Sequence, residues 1–255
     1  MTSATITLRS LAKLTWLEIK IFAREPLGLF GSITIPLLVF LGISRVVSPA
    51  TVMGPARRGW PGGGFLPVLT TVLIALSAVG SLITIISIYR EGGILKRLRA
   101  TPLHPAIILT THVIVKLLLT VVTMVLLFMA GRRYVPPDAQ VPFLSFSIAV
   151  LFATWAILSI GFVIASLVPT ARFAQPVATF VLYPMLIVSG LFFPIALMPP
   201  AVQLIAKALP LTYAVSLLSG IWKGDPWSAH IVDVFALVLT FVVCVAVSSK
   251  VFRWE

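Results

Sequence analysis

The chain has 255 residues, of which 59% are hydrophobic and 10% are charged, and its mean hydropathy is +1.11. This composition lies outside the range of soluble globular proteins and leaves no sizeable water-soluble domain. Because the net charge of +12 accompanies so apolar a chain, we attribute it to orientation in a membrane rather than to nucleic-acid binding. The single cysteine, Cys244, excludes a disulfide framework.

Residues 1–26 predict an amphipathic helix that lies along the cytoplasmic membrane surface as a separate N-terminal unit. Four cations share one helical face, and most leucine, isoleucine and phenylalanine side chains occupy the opposite half. The four are Arg9, Lys13, Lys20 and Arg24. Glu18 lies within the apolar face, where an unpaired carboxylate is costly, so we expect it to find a cation or a protein donor. A role as a gate residue is the alternative.

Six long apolar stretches follow, and together they make residues 27–255 a transmembrane domain. Each is near or above the length of about 20 residues that a helix needs to cross a hydrocarbon core of about 30 Å. They cover residues 27–47, 66–88, 106–130, 143–168, 177–193 and 231–251. We therefore predict an all-α integral membrane protein with six transmembrane helices.

The distribution of lysine and arginine favours a cytoplasmic N-terminus. With that orientation eleven of the 19 cations fall on the cytoplasmic side, seven fall on the other side, and Lys116 lies within a span. This excess follows the positive-inside rule. We expect both termini of a multi-pass protein in the cytoplasm, and the membrane to be a bacterial plasma membrane.

Two spans carry polar strips. In the second span, small and hydroxyl-bearing side chains that include Ser77, Ser81 and Thr84 either permit close helix contact or line a translocation path. In the third span, His112 and Lys116 begin a polar stripe at helical spacing. An ionisable residue inside a membrane is either functional or structurally paired, and Glu18 or Glu91 would be the structural partner of Lys116.

The loop between the second and third spans predicts a short basic amphipathic helix that ends at Pro102. Its apolar face has Ile94, Leu95 and Leu98, and its cations are Lys96, Arg97 and Arg99. The loop either anchors the topology on anionic lipid, at about 1 kcal/mol per cation, or docks a soluble partner. Charge alone does not decide between these two roles.

The segment after the fifth span is apolar but interrupted by proline. Pro194, Pro199, Pro200 and Pro210 divide it into pieces at about 201–209 and 211–222, each too short to span. Irregular backbone at membrane depth persists only where protein or a cavity surrounds it. We therefore expect a re-entrant helical hairpin on the external side, before the last span.

Motifs of enzymatic chemistry are absent from the sequence. There is no H-E-x-x-H, C-x-x-C or G-x-S-x-G pattern, and no G-x-x-x-x-G-K-[ST] sequence that would cradle ATP phosphates. His230 and Asp233 are three residues apart, but two ligands alone make a weak metal or proton site. We expect no catalytic residues, no bound metal and no directly bound cofactor.

Three stretches of this chain resemble the ABC-2 type permeases of ABC exporters. They are A-R-E-P-L before the first span, R-E-G-G-I-L-K-R-L-R-A-T-P-L between the second and third spans, and S-G-L-F-F-P, M-P-P and L-P-L-T-Y-A-V-S-L-L-S-G-I after the fifth. The likeness extends over essentially the whole chain. It implies a homodimer of six-span subunits, in contact with lipid, above two copies of a separate cytoplasmic ABC ATPase that holds ATP and Mg.

The resemblance also implies roles for particular residues. The coupling helix that the ATPase grips would comprise Arg90, Glu91, Gly92, Leu95, Lys96, Arg97, Leu98, Arg99, Thr101 and Pro102. The substrate path would involve the second and fifth spans, with candidates Ser77, Ser81, Thr84, Lys116, Tyr183 and Ser189. An external gate would form at Phe192, Phe193, Pro194, Pro210 and Tyr213.

The expected function is export of a hydrophobic small molecule, drug or lipid-like substrate, with antibiotic efflux as one form of it. Export of a lipid-linked polysaccharide is one alternative, and a channel or assembly subunit outside the ABC class is another. A secondary transporter would need acidic residues near the membrane midplane, and no predicted span has one at its centre.

Overall fold

The structure is a computed structural model of the chain that describes residues 3–24, 33–46, 65–93, 105–131, 142–168 and 170–251. Within these ranges the backbone forms nine α-helices and no β-strand, so the all-α fold class is confirmed. The helices are α1 (Ser3–Arg24), α2 (Ile35–Val46), α3 (Phe65–Glu91), α4 (Pro105–Gly131), α5 (Phe143–Leu167), α6 (Ala171–Val188), α7 (Pro200–Ala208), α8 (Pro210–Lys223) and α9 (Ile231–Val251). Short 3₁₀ turns at Ile195–Leu197 and Trp227–His230 precede α7 and α9.

Helix α3 lies at the centre of the bundle, in contact with α2, α4, α5, α6 and α8. Side chains all around it are buried, among them Val72, Val79 and Leu82. A helix that is apolar on every side is typical of a bundle interior. Gly161 of α5 lies where a Cβ atom would come 3.1 Å from the Val79 side chain, so the glycine permits α3 and α5 to pack closely.

Helix α9 lies at the edge of the bundle, packed against α5 and α8. Trp155 of α5 stacks on Phe241 of α9 with ring centroids 3.7 Å apart, which fixes the two helices against each other. The outer side of α9 exposes large apolar side chains such as Phe235, Leu239 and Val242. Such a face is stable against lipid and costly against water.

Four of the described helices are long and apolar enough to cross a membrane. The qualifying segments are Val68–Tyr89, Thr110–Ala130, Phe143–Leu167 and Trp227–Lys250. They coincide with the second, third, fourth and sixth predicted spans. The number becomes five if α7 and α8 are counted together as one bent span.

The other two predicted spans correspond to shorter described helices. Helix α2 covers 12 residues of the predicted span 27–47, whose beginning lies outside the described residues. The predicted bounds 177–193 are wrong, because α6 begins at Ala171 and ends at Val188. Gly190 has a φ of +85°, a conformation that ends a helix and that glycine adopts without strain. Phe192 and Phe193 therefore lie beyond the helix.

Helices α7 and α8 meet at an angle of 85°. Leu209 between them has extended backbone, and Pro210 occupies the first turn of α8, where a missing N–H costs nothing. Their bounds agree with the two proline-delimited pieces predicted from the sequence. Gly224, with a φ of +93°, ends α8.

Candidate functional site

The polar stripe of α4 is buried inside the protein. His112 and Lys116 are 2% and 3% exposed, and Thr111, Thr120 and Thr123 are buried with them. Each threonine hydroxyl donates to a carbonyl one turn earlier on its own helix, at 2.8 to 2.9 Å. The threonines are thus satisfied within α4, whereas His112 and Lys116 present groups to neighbouring helices.

Helix α1 supplies the groups that meet His112 and Lys116. The Nδ1 atom of His112 lies 3.1 Å from Oε1 of Glu18, and the Nζ atom of Lys116 lies 4.7 Å from the centroid of the Phe22 ring. Glu18 and Phe22 are one turn apart on α1, as are His112 and Lys116 on α4. Each of two successive turns of α1 therefore contacts one of two successive turns of α4, through Glu18 with His112 and Phe22 with Lys116.

A third helix reaches the same place. Tyr89, near the end of α3, meets the imidazole of His112 edge to face, with ring centroids 5.4 Å apart and an interplanar angle of 62°. We call the set Glu18, Phe22, Tyr89, His112 and Lys116 the α1–α4 node. It joins the N-terminal helix to the two helices that flank the predicted coupling loop.

The charge state of Glu18 follows from these contacts. The hydrogen bond from His112 lowers the pKa of the Glu18 carboxyl below its ordinary value, burial opposes that shift, and the positive charges of His112 and Lys116 reinforce it. Glu18 has therefore found the protein donor that its position on the apolar face predicts. Lys116 therefore interacts with Glu18 through longer-range electrostatic attraction. Its ammonium group also lies over the Phe22 ring.

Three of the four cations predicted on α1 lie on its outer side. Lys13, Lys20 and Arg24 are exposed, whereas the side chain of Arg9 lies outside the described residues. Trp16, Leu17 and Ile21 are also exposed, and apolar side chains next to cations are typical of a helix in contact with a membrane surface.

The coupling segment is described only at its beginning. Glu91 is the last residue of α3 rather than the first of a separate helix, because Gly92 and Gly93 form a turn and Gly93 has a φ of +65°. The side chain of Arg90 lies outside the described residues. So do the remaining candidates of this segment, namely Leu95, Lys96, Arg97, Leu98, Arg99, Thr101 and Pro102.

The path candidates on α3 lie along the helix, and one of them, Thr84, contacts α6. Ser81 donates to the Ala78 carbonyl at 3.0 Å, and Thr84 donates to the Gly80 carbonyl at 3.0 Å. Ser77 is half-buried on the same helix. Hydroxyl groups that bond their own backbone satisfy themselves without a partner helix, which suits both close packing and a path.

Gln175 of α6 makes a polar contact that the sequence pattern does not predict. Its Nε2 atom donates to the Thr84 hydroxyl at 3.0 Å, and its side chain passes Gly80, where a Cβ atom would lie 3.6 Å from Oε1. The predicted fifth span began at residue 177, so Gln175 fell into a loop. An amide just before Pro176, at the start of an apolar helix, is the signal that could have found it.

The other two path candidates on or near α6 have different surroundings. Tyr183 is exposed on the outer side of the helix. Ser189 is buried and donates to the Leu186 carbonyl at 2.7 Å, so its hydroxyl completes the end of α6. The candidates therefore do not converge on one place: Thr84 meets Gln175, Lys116 faces α1, and Ser189 ends a helix.

The gate candidates surround the bend between α6 and α8. Phe192 and Phe193 are exposed in the turn after α6, and Pro194 precedes the 3₁₀ turn that leads to α7. Pro210 begins α8, and the Tyr213 hydroxyl donates to the Lys207 carbonyl at 2.6 Å. This bond ties α8 to the end of α7.

The fold and its buried polar contacts define a multi-pass α-helical membrane protein. Among the described residues no group of three or more histidine, cysteine, aspartate or glutamate side chains could hold a metal ion. A family model described as ABC-2 type transporter matches residues 9–222. The chain therefore belongs to the ABC-2 type transporter family, as its resemblance indicated.

A shorter match joins the chain to a curated relative. Nodulation protein J of Rhizobium leguminosarum bv. viciae is 33% identical over 98 residues. The match covers 38% of this chain and 38% of that protein, so the chain spans well under half the length of the relative.

Proposed function

We propose that the chain is the membrane-spanning subunit of an ATP-driven exporter. The substrate is a hydrophobic small molecule, drug or lipid-like compound that leaves the cytoplasm or the inner leaflet. The family match and the apolar helices support this proposal, because the family consists of transmembrane subunits that are not themselves catalytic and that work with an ATPase subunit.

The family match over residues 9–222 is the observation that carries the proposal, and the contact between Glu18 and His112 supports its coupling mechanism. The basic loop joins α3 to α4, and both helices reach the α1–α4 node, through Tyr89 and His112 respectively. A force applied to the loop would therefore reach α1, α3 and α4 together. We infer that residues 90–102 dock a cytoplasmic ABC ATPase and that α1 moves with them.

The proposed complex has two copies of this chain and two of the ATPase. ATP and Mg bind to the ATPase, and this chain has no catalytic residue and no cofactor of its own. Eight of the 19 cations lie in α1 and the loop, which suits a docking surface next to anionic lipid.

The proposed topology has six crossings, with both termini in the cytoplasm of a bacterial cell. Helices α2 and α6 would complete the first and fifth crossings. Helices α7 and α8 would form the external re-entrant hairpin, since each is too short to cross alone and they meet at 85°.

We further propose that α3 and α6 line the substrate path, with the turn after α6 as its external gate. The contact between Thr84 and Gln175 places polar groups where these helices meet. Phe192 and Phe193 provide exposed rings at the far end of α6. Rings of this kind close a path to water and admit an apolar substrate.

Purification of the full chain at its native level, with gentle extraction into lipid, tests the proposal. Mass spectrometry of the purified complex is expected to find an ABC ATPase with a P-loop in amounts comparable to the chain. In a matched preparation, Lys96, Arg97 and Arg99 are each replaced by glutamate. We expect the ABC ATPase to be absent from that preparation. Absence of any such ATPase from the unmodified complex would favour the channel or assembly subunit instead.

A further inference from the structure

A second polar cluster lies at the opposite end of the bundle from the α1–α4 node. His230 ends the turn before α9, and its imidazole lies against α8 so closely that a Cβ atom at Gly220 would overlap the ring. A glycine is therefore needed on α8 for His230 to occupy this place.

The Asp233 carboxylate holds one side of the His230 ring. Nδ1 of His230 lies 2.8 Å from Oδ2 of Asp233, and the Ser216 hydroxyl of α8 donates to the same oxygen at 2.8 Å. Asp233 is 8% exposed, so its carboxylate depends on these two partners. With an ionised carboxylate as acceptor, Nδ1 carries the hydrogen.

The other side of the ring faces a second carboxylate. Nε2 of His230 lies 3.5 Å from Oδ2 of Asp225, which follows the end of α8, and this nitrogen is buried without a hydrogen bond among the described residues. In a neutral imidazole that donates from Nδ1, the Nε2 atom has a lone pair directed at that carboxylate. Uptake of a proton turns Nε2 into a donor, and a charge-assisted hydrogen bond to Asp225 can form.

We propose that His230 is a proton-operated positioning residue that holds the end of α8 against the start of α9 more tightly as the pH on its side of the membrane falls. This proposal rests on the proposed function, in which that side is external and α8 belongs to the hairpin. A tighter contact would restrain the hairpin, so export would slow in an acidic external medium.

Few other titratable groups surround His230. Helix α5 packs against both α8 and α9 but has no titratable side chain anywhere along Phe143–Leu167. On α8 the titratable side chains are Tyr213 and the exposed Lys223, and on α9 Asp233 is the one in the first turn. The response to pH in this region is therefore assigned to His230 and its two carboxylates, since imidazole titrates between about pH 5 and 8.

Hydrogen exchange of the full chain in lipid nanodiscs tests the proposal. Amides of residues 216–230 are measured at about pH 5.5 and about pH 7.5, values that bracket the titration of imidazole, with correction for the intrinsic exchange rate. In the unmodified chain we expect up to roughly fivefold greater protection at the lower pH, because the Asp225 carboxylate is half-exposed and solvent screens its interaction with His230. An Asp225→Asn variant is expected to lose this difference, and Lys223→Gln, a matched change of a nearby exposed charge, is expected to keep it.

The Asp225→Asn variant leaves the bond between His230 and Asp233 intact, so it tests the proposal even if His230→Gln fails to fold. Equal protection at the two pH values in the unmodified chain, or an undiminished difference in Asp225→Asn, would overturn the proposal. The exchange experiment needs no ATPase and no substrate. If protection depends on pH but the chain supports no ATP-dependent export, the proposed function is overturned and the role of His230 in positioning α8 stands. If the chain supports export but protection does not depend on pH, the role of His230 is overturned and the proposed function stands.

Discussion

Glu18 shows how one carboxylate can be kept on an otherwise apolar helical face. Its oxygen accepts a hydrogen bond from His112, and Lys116 contributes a positive charge nearby. Taking a carboxylate out of water costs several kcal/mol unless such partners replace the lost hydration. Removal of Glu18 or His112 therefore leaves the other side chain without this hydrogen bond.

Replacement of Glu18 by glutamine is expected to destabilise the protein. The variant keeps the shape and one acceptor oxygen but loses the charge, so the stability of the purified chain should fall by about 1 kcal/mol. Thermal unfolding in the same lipid or detergent would measure the change. The control is Lys20→Gln, an exposed charge on the same helix, for which we expect almost no change. Equal effects of the two substitutions would contradict a structural role for Glu18.

The contribution of Glu18 should also depend on pH in a defined direction. Because the contacts lower the pKa of Glu18 in the folded protein, its stabilising effect is complete above the ordinary glutamate pKa of about 4.3. The effect shrinks as the pH falls below that value and is lost below the lowered pKa. The difference in unfolding midpoint between the unmodified chain and Glu18→Gln, measured from neutral to acidic pH, should follow this course. A difference that grows with acidity would show that the sign is wrong.

Among the contacts between helices, a hydrogen bond between an exposed amide and a hydroxyl joins α6 to α3. Gln175 donates to Thr84, and its amide lies beside Gly80 of α3. Hydrogen bonds between membrane helices contribute modestly, about 0.6 kcal/mol on average in double-mutant cycles. The contact is therefore better suited to setting the register of two helices than to holding them together.

A double-mutant cycle between Gln175→Leu and Thr84→Val should show this coupling. We expect the effects of the two substitutions on unfolding to be non-additive by about 0.5 to 1.5 kcal/mol. Thr123→Val is the matched control, because the Thr123 hydroxyl bonds its own helix at the Leu119 carbonyl. Additive effects for Gln175 with Thr84, or equal coupling with Thr123, would argue against a specific contact between α3 and α6.

The long helices could be predicted from the sequence because about 20 apolar residues without a break are enough to indicate a span. The bounds of α6 could not be predicted in this way. Arg172 and Gln175 lower the hydropathy of its first turns, although the helix continues through them. The end of α6 depends on Gly190, whose positive φ is a property of the backbone rather than of hydropathy. Prolines, by contrast, marked the beginnings of α7 and α8 correctly because a proline at the start of a helix is a local signal.

In the folded protein, the polar stripe predicted on α4 contacts the carboxylate of Glu18 on α1, so the two predicted features form a single site. The sequence indicated that Glu18 needs a donor and that His112 shares a face with Lys116. Which donor and which acceptor meet depends on how α1 docks on α4, and no local pattern specifies that. For the same reason the sequence alone indicates one weak partner for His230, Asp233, whereas the fold brings Ser216 and Asp225 to the cluster as well.

The basic loop is predicted to transmit the ATPase cycle to this assembly. Glutamate at Lys96, Arg97 and Arg99 should preserve membrane insertion but reduce ATP-dependent export to near background, because the docking surface would repel its partner. The control is reversal of Arg57, Arg58 and Lys223, cations placed on the other side by the proposed topology. We expect that control to retain export. Export at normal rates by the loop variant would remove the loop from the coupling mechanism.

The role of the chain in export can be measured as ATP-dependent uptake of a hydrophobic fluorescent substrate by inside-out membrane vesicles from cells that contain the chain and its ATPase. We expect uptake that requires hydrolysable ATP and that disappears when the chain is deleted. Uptake that is unchanged without the chain, or that proceeds without ATP, would show that the chain is not the membrane subunit of an ATP-driven exporter.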